Sequence, residues 1–179
     1  MSIKKLLIVD LDQTIIDSTI RENMCYPNGS LCLATYKQVK TCHDKGIVND
    51  CLTPFGEWLK VNYQSLLNNY SIVFLTARLC DIWDLDSFKK LGIASMLTDC
   101  LTIDRSVAKL YGGNPSEQDS GKYKKPICHY LARAYSSYDI CVIDDCMNVL
   151  DMAKAQGFKT ICARELYHYT NDDFVNLFI

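Results

Sequence analysis

The chain lacks long apolar runs, any excess of charge and any paired-cysteine signature, and each absence removes a class of function. No apolar stretch approaches the roughly 20 residues of a bilayer-spanning helix. Lys4 and Lys5 precede only a short apolar run that breaks into acids, so neither a signal peptide nor a membrane partner is expected and a cytoplasmic setting is read. The net charge of −2 gives no overall pull toward nucleic acid or anionic lipid, although a local basic patch stays open. None of the ten cysteines stands three residues from another, which excludes a CxxC zinc or redox motif. A reducing compartment is the simplest reading, with Cys141 and Cys162 as small hydrophobes inside strand-like runs. His43, His129 and His168 have no partner at metal-ligand spacing. Gly121-Lys122 is no phosphate loop, because Ser116 stands where a glycine is needed and Tyr123 follows the lysine. There is no internal repeat and no low-complexity tract.

What is present is enough apolar residue, 49% of 179, to bury one substantial core, so residues 1–179 are read as one domain. Apolar runs alternate with helix-like segments, the pattern of a parallel α/β sheet flanked by helices. Strands are predicted at residues 5–9, 72–75, 96–101, 140–143 and 160–163, most of them short and nearly continuous in Val, Ile, Leu, Phe or Cys, while Thr98 and Asp99 interrupt the third. Thr53-Pro54 reads as an N-cap with proline at the first helical position, followed by Phe55, Trp58, Leu59, Tyr63 and Leu66 at helical spacing. A second helix is predicted to open at Pro126 and run through Tyr135, and a third to span residues 149–156 with Gly157 as its left-handed terminator. Residues 17–52 break the alternation, with a turn at Pro27-Asn28-Gly29 and a short helix near residues 35–43. They are expected to form a small cap or flap insert. Residues 102–124, with Gly112-Gly113-Asn114-Pro115, read as a long loop bordering the same edge.

Chemistry concentrates where strands should end. Asp10 and Asp12 follow the first strand, where an open α/β sheet places its reactive groups. Asp10 beside a metal ion could attack a phosphoryl group. Asp12 could transfer a proton if the chain swerves after Asp10. Acids decorating a strand end are the competing explanation. Thr76 ends the second strand, able to donate to a phosphate oxygen or simply to cap a helix. Lys122-Tyr123-Lys124-Lys125-Pro126 precedes the fourth strand. A lysine there could neutralise a carboxylate and a phosphoryl group, or the run could be a solvated loop. Asp144-Asp145 closes the fourth strand, and adjacent acids repel unless a cation such as Mg²⁺ holds them. The order acid pair, hydroxyl, lysine, acid pair converges on one edge.

In that order the chain resembles the haloacid dehalogenase superfamily of phosphohydrolases, over residues 5 to about 163. Asp10-Leu11-Asp12-Gln13-Thr14 is similar to its first motif, with Gln13 where glycine is more usual. Thr76 is similar to the second, Lys125 to the third through its Lys-Pro pair, and Asp144-Asp145 to the fourth. The resemblance implies a Rossmann-like sheet and Asp10 as a nucleophile forming an aspartyl-phosphate. It implies Asp12 as general acid and then base, and Thr76 and Lys125 as holders of the phosphoryl group. It also implies Mg²⁺ held by Asp10, the Asp12 carbonyl and Asp145, with Asp144 supporting. An acid at position 12 favours phosphatase or phosphotransferase over dehalogenase. Thr76-Ala77-Arg78 with Lys125 and Ile143-Asp144-Asp145 is further similar to the phosphatase half of bacteriophage polynucleotide kinases. That likeness implies Arg78 as a substrate or phosphate contact, against a surface arginine pairing at a helix end. Thr76 and Ala77 depart from the serine and glycine usual there, and the acidic net charge counts against a nucleic-acid ligand. The expected substrate is a nucleotide or a nucleic-acid terminal (3′) phosphate. A sugar or other metabolite phosphate is the alternative, and a non-catalytic binding protein on the same fold the third.

Overall fold

The computed structural model describes residues 4–25, 41 and 44–179. Five parallel strands form the central sheet in the order β5-β4-β1-β6-β7: β1 Lys5–Val9, β4 Tyr70–Leu75, β5 Leu101–Ile103, β6 Asp139–Asp144 and β7 Lys159–Cys162. β1 lies in the middle, with Val9 opposite Phe74 on one side and Ile143 on the other. That register carries Asp10, Thr76 and Asp144 to one edge. The α/β sheet expected from the alternation is thus the one observed.

Both faces of β1 are buried, because successive side chains alternate. Leu7 and Val9 face a cluster with Phe55, Trp58 and Leu59 of α2 (Pro54–Leu66) and Phe88 of α3 (Ile82–Leu91). Phe174 and Phe178 of α7 (Asn171–Phe178) complete it. Leu6 and Ile8 face Tyr123, Ile127, Cys128 and Leu131 of α5 (Ser120–Ala134) with Val149 and Ala153 of α6 (Met147–Ala155).

Two expectations are corrected. The third predicted strand is a short helix, α4 (Ala94–Asp99), and the strand follows it at Leu101–Ile103. A short apolar run cannot by itself tell a buried helix from a strand. Here Met96 and Leu97 are one buried helical patch. The helix placed at Pro126 begins six residues earlier, at Ser120, where the Asp119 carboxylate accepts from the Lys122 amide at 2.8 Å. Pro126 sits inside the helix, in its first half. The proposed 102–124 loop therefore ends in helix, after a 3₁₀ turn at Ala108–Tyr111.

The α2 start is as read: the Thr53 hydroxyl accepts from the Gly56 amide at 3.0 Å, and Pro54 opens the helix. Gly157 has φ 82° after α6. Between β1 and α2 the described part of the insert comprises a two-strand ribbon, β2 (Ile16–Asp17) against β3 (Cys51–Leu52), with α1 (Thr19–Cys25) and a 3₁₀ turn at Ile47–Asn49. The turn expected at Pro27-Asn28-Gly29 lies outside the described residues, as does nearly all of the short helix expected near 35–43. No helix among the described residues is long and apolar enough to cross a membrane.

Candidate active site

After β1 the chain doubles back on itself. The Leu11 carbonyl accepts from the amides of Thr14, Ile15 and Ile16, and the Gln13 amide donates to the Ile16 carbonyl at 2.7 Å. That turn sets Gln13 at φ 56°, the left-handed region that glycine adopts without strain. Its side chain is tied to the start of the insert, donating to Ser18 Oγ at 3.2 Å and accepting from Thr19 Oγ1 at 3.3 Å.

Asp10 is buried at 7% exposure. Its Oδ1 accepts from Lys124 Nζ at 2.6 Å, and the same ammonium donates to Asp144 Oδ2 at 2.7 Å. Burial pushes the Asp10 pKa well above the usual carboxylate range. Lys124 pulls it back, and Asp144 adds repulsion. Burial works against the Lys124 charge, but Asp10 and Asp144 outweigh it and hold the ammonium protonated beyond its ordinary range. The lysine expectation is therefore revised: the side chain that reaches Asp10 is Lys124, while Lys125 is exposed. Helix phase decides between them. Lys124 shares the buried face of α5 with Ile127, Cys128 and Leu131, whereas Lys125 falls in line with exposed His129.

Asp144 also accepts from the Cys146 amide at 2.9 Å, and half-buried Asp145 pairs with Arg164 at 3.3 Å. Burial and the neighbouring Asp144 charge raise the Asp145 pKa. One carboxylate oxygen each from Asp10, Asp144 and Asp145 lies within 4.8 Å of the others. Three close oxygen donors, with the ionised forms of buried Asp10 and half-buried Asp145 disfavoured by their surroundings, are a donor set that suits Mg²⁺.

Asp12 has a different neighbourhood. Its carboxylate accepts from the guanidiniums of both Arg21 and Arg78, with Arg78 Nε at 3.1 Å. Arg78 and Arg21 overcome the effect of burial and hold Asp12 well below the usual carboxylate range. Arg78 also donates to Asp84 Oδ1 at 2.9 Å and approaches Asp50 at 3.4 Å, while Arg21 Nε lies 3.1 Å from both oxygens of Asp50. Arg78 is thus no surface residue; at 6% exposure it is the centre of a buried ion cluster. Thr76, 1% exposed, accepts at its hydroxyl oxygen from the Arg78 amide at 3.1 Å.

Four residues of this constellation were not singled out from sequence. Lys124 carried a readable signal in its helix phase. Asp84 lay in the spacing Asp81-x-x-Asp84, and both halves of that capping box form. Arg21 and Asp50 gave none, since their contact spans 29 residues of insert.

The family model for bacteriophage T5 5′-deoxynucleotidase matches residues 1–172. The 5′-deoxynucleotidase of Escherichia phage T5 is 30% identical over 171 residues, covering 90% of this chain and 68% of that protein. Among solved structures, a hydrolase from Streptococcus pneumoniae TIGR4 superposes with a TM-score of 0.59 at 15% identity, over 98% of this chain and 97% of its own. A predicted HAD-like family hydrolase from Porphyromonas gingivalis gives 0.55 at 15% identity, over 90% and 91%. These two likenesses carry the fold, and the site lies where that fold has its strand ends. The chain is a hydrolase of haloacid-dehalogenase-like fold and belongs to the bacteriophage T5 5′-deoxynucleotidase family.

Proposed function

We propose that this hydrolase removes the phosphate of deoxynucleoside 5′-monophosphates, with Mg²⁺ as cofactor and Asp10 as the group phosphorylated in turnover. The observation that carries the reading is the Asp10–Lys124–Asp144 contact beside Asp145, one buried ammonium bridging two of three close acids at the sheet edge. Asp10, Asp144 and Asp145 would hold the metal, which when bound offsets charge on the acids and on the phosphate.

An Asp10 oxygen forms a bond to phosphorus as the bond to the nucleoside 5′-oxygen breaks. Water then cleaves the acyl phosphate, restoring the carboxylate and releasing inorganic phosphate. Lys124 and the Thr76 hydroxyl steady the transferring group, in which positioning and charge neutralisation supply most of the catalysis. Asp12, held ionised by Arg21 and Arg78, suits the second half, taking a proton from the attacking water. Its donation to the leaving oxygen in the first half requires the incoming phosphate to draw a guanidinium away from it. The family match supports a nucleotide over a sugar phosphate or a nucleic-acid end.

The test is phosphate release from deoxynucleoside 5′-monophosphates, 3′-phosphorylated oligonucleotides and sugar phosphates, with Mg²⁺ or with chelator. Release from the 5′-monophosphates that disappears with chelator and in Asp10→Asn is expected. Release that survives both sinks the mechanism, and a preference for oligonucleotide ends sinks the substrate assignment.

A further inference from the structure

The C-terminal end of β5 carries Asp104 and Arg105, two residues with no part in the chemistry above. Asp104 is buried, and its Oδ1 accepts from the amides of Ser106 at 3.0 Å and Val107 at 3.3 Å. Its Oδ2 accepts from the Cys80 amide at 2.9 Å, beyond β4. Arg105 reaches further. Its amide donates to the Arg78 carbonyl at 3.1 Å and its Nε to the Ala77 carbonyl. Its Nη1 donates to the carbonyls of Pro115 at 2.6 Å and Glu117 at 2.8 Å, and the guanidinium lies over the Tyr123 ring at 4.7 Å.

These partners are not scattered. Ala77 sits between Thr76 and Arg78. Tyr123 immediately precedes Lys124. Pro115 and Glu117 lead into Asp119, the cap of α5. One side chain therefore bonds or stacks on both segments that bring the proposed phosphate-holding groups to the sheet edge. Among the described residues no carboxylate forms an ion pair with Arg105, so its donors are spent on main-chain carbonyls. Only a planar fork of several N–H groups can serve separate carbonyls while stacking on a ring; an ammonium keeps the charge and loses the geometry.

We propose that Arg105, braced by Asp104, is a positioning residue that sets the 76–80 loop and the first turns of α5 at the separation where Thr76 and Lys124 act on one phosphoryl group. This rests on the phosphatase reading of the site. A misplacement of about an ångström between such groups costs on the order of 100-fold in rate.

The experiment compares wild type, Arg105→Lys, Arg105→Gln, Thr76→Ala and the double variant Thr76→Ala/Arg105→Lys, with a deoxynucleoside 5′-monophosphate and Mg²⁺. Near-ultraviolet circular dichroism and thermal unfolding accompany the kinetics. Both Arg105 variants are expected to fold and to lose about 10- to 100-fold in kcat with a smaller change in KM. The double variant is expected to lose less than the product of its singles, because Arg105 acts partly through Thr76. An active wild type with undiminished kcat in Arg105→Lys overturns the inference alone, as do multiplicative losses in the double variant. Loss of the fold in Arg105→Lys overturns it too, making Arg105 a stability residue. An inactive wild type overturns the phosphatase reading itself.

Discussion

Lys124 Nζ lies 2.6 Å from Asp10 Oδ1 across 114 residues of sequence, and no other lysine of the Lys122-Tyr123-Lys124-Lys125 run has such a partner among the described residues. Lys124→Ala is expected to lower kcat by about 100-fold or more, the scale for removing one preorganised charge-stabilising donor. Lys125→Ala, at an exposed position, should change it by less than about twofold. Steady-state kinetics on the two variants side by side decides which lysine serves Asp10, and equal losses would count against the assignment.

Arg78 is bonded to Asp12 and Asp84 and lies near Asp50, with less than a tenth of its surface exposed. Removing it leaves buried carboxylates short of a cation, a change that typically costs about 3–5 kcal/mol. Arg78→Ala should show that loss in urea unfolding near neutral pH.

The pH dependence of that loss has a sign. In the wild type Asp12 is depressed below its unfolded value of 3.8, so its contribution is complete above that pH and is lost as pH falls through the folded value. Without Arg78, Asp12 keeps only Arg21 against burial, and Asp50, whose pKa burial already raises, loses the pull of Arg78 and rises further. An acid with a raised folded pKa costs stability at pH above its unfolded value, and that cost disappears on protonation. The stability gap between Arg78→Ala and wild type should therefore narrow as pH falls from about 7 toward 4, measured by urea midpoints. A gap that widens would refute the charge account.

Gln13 holds φ 56° where a side chain is strained. Gln13→Gly relieves about 1–2 kcal/mol of left-handed strain, but it adds unfolded-chain entropy and gives up the bonds to Ser18 and Thr19. The terms nearly offset, so Gln13→Gly should fall within about 1 kcal/mol of wild type while Gln13→Val, bulky and β-branched, falls clearly below. Chemical unfolding of the two variants measures the difference.

A Cβ on Gly56 would lie 2.1 Å from the Ile15 carbonyl oxygen, because α2 docks its first turn directly on the turn that follows Asp12. Gly56→Ala must push main chain, not a flexible side-chain end. It should destabilise by at least the roughly 1–3 kcal/mol typical of overpacking and lower kcat with it. Wild-type stability in this variant would show that the turn yields freely.

Some of this was legible from local pattern alone. Continuous aliphatic runs marked four of the five central strands, Thr53-Pro54 marked the start of α2, and Gly157 the end of α6. Each rests on interactions within a few residues, which is where sequence spacing carries physical information. The strand near residue 100 and the start of α5 were misplaced for the same reason. Short apolar runs and an internal proline have more than one local solution, and packing against the sheet selects among them.

What the sequence by itself determined was the parallel sheet and the arrival of Asp10, Thr76 and Asp144 at strand ends, since burial on both faces leaves an aliphatic run between helices few other places to go. Only the tertiary structure decided which lysine faces Asp10 and what surrounds Asp12. The first depends on the register of α5 against the sheet. The second depends on Arg21 and Asp50, two insert residues that charge pairing joins only after the chain has folded back over Asp12.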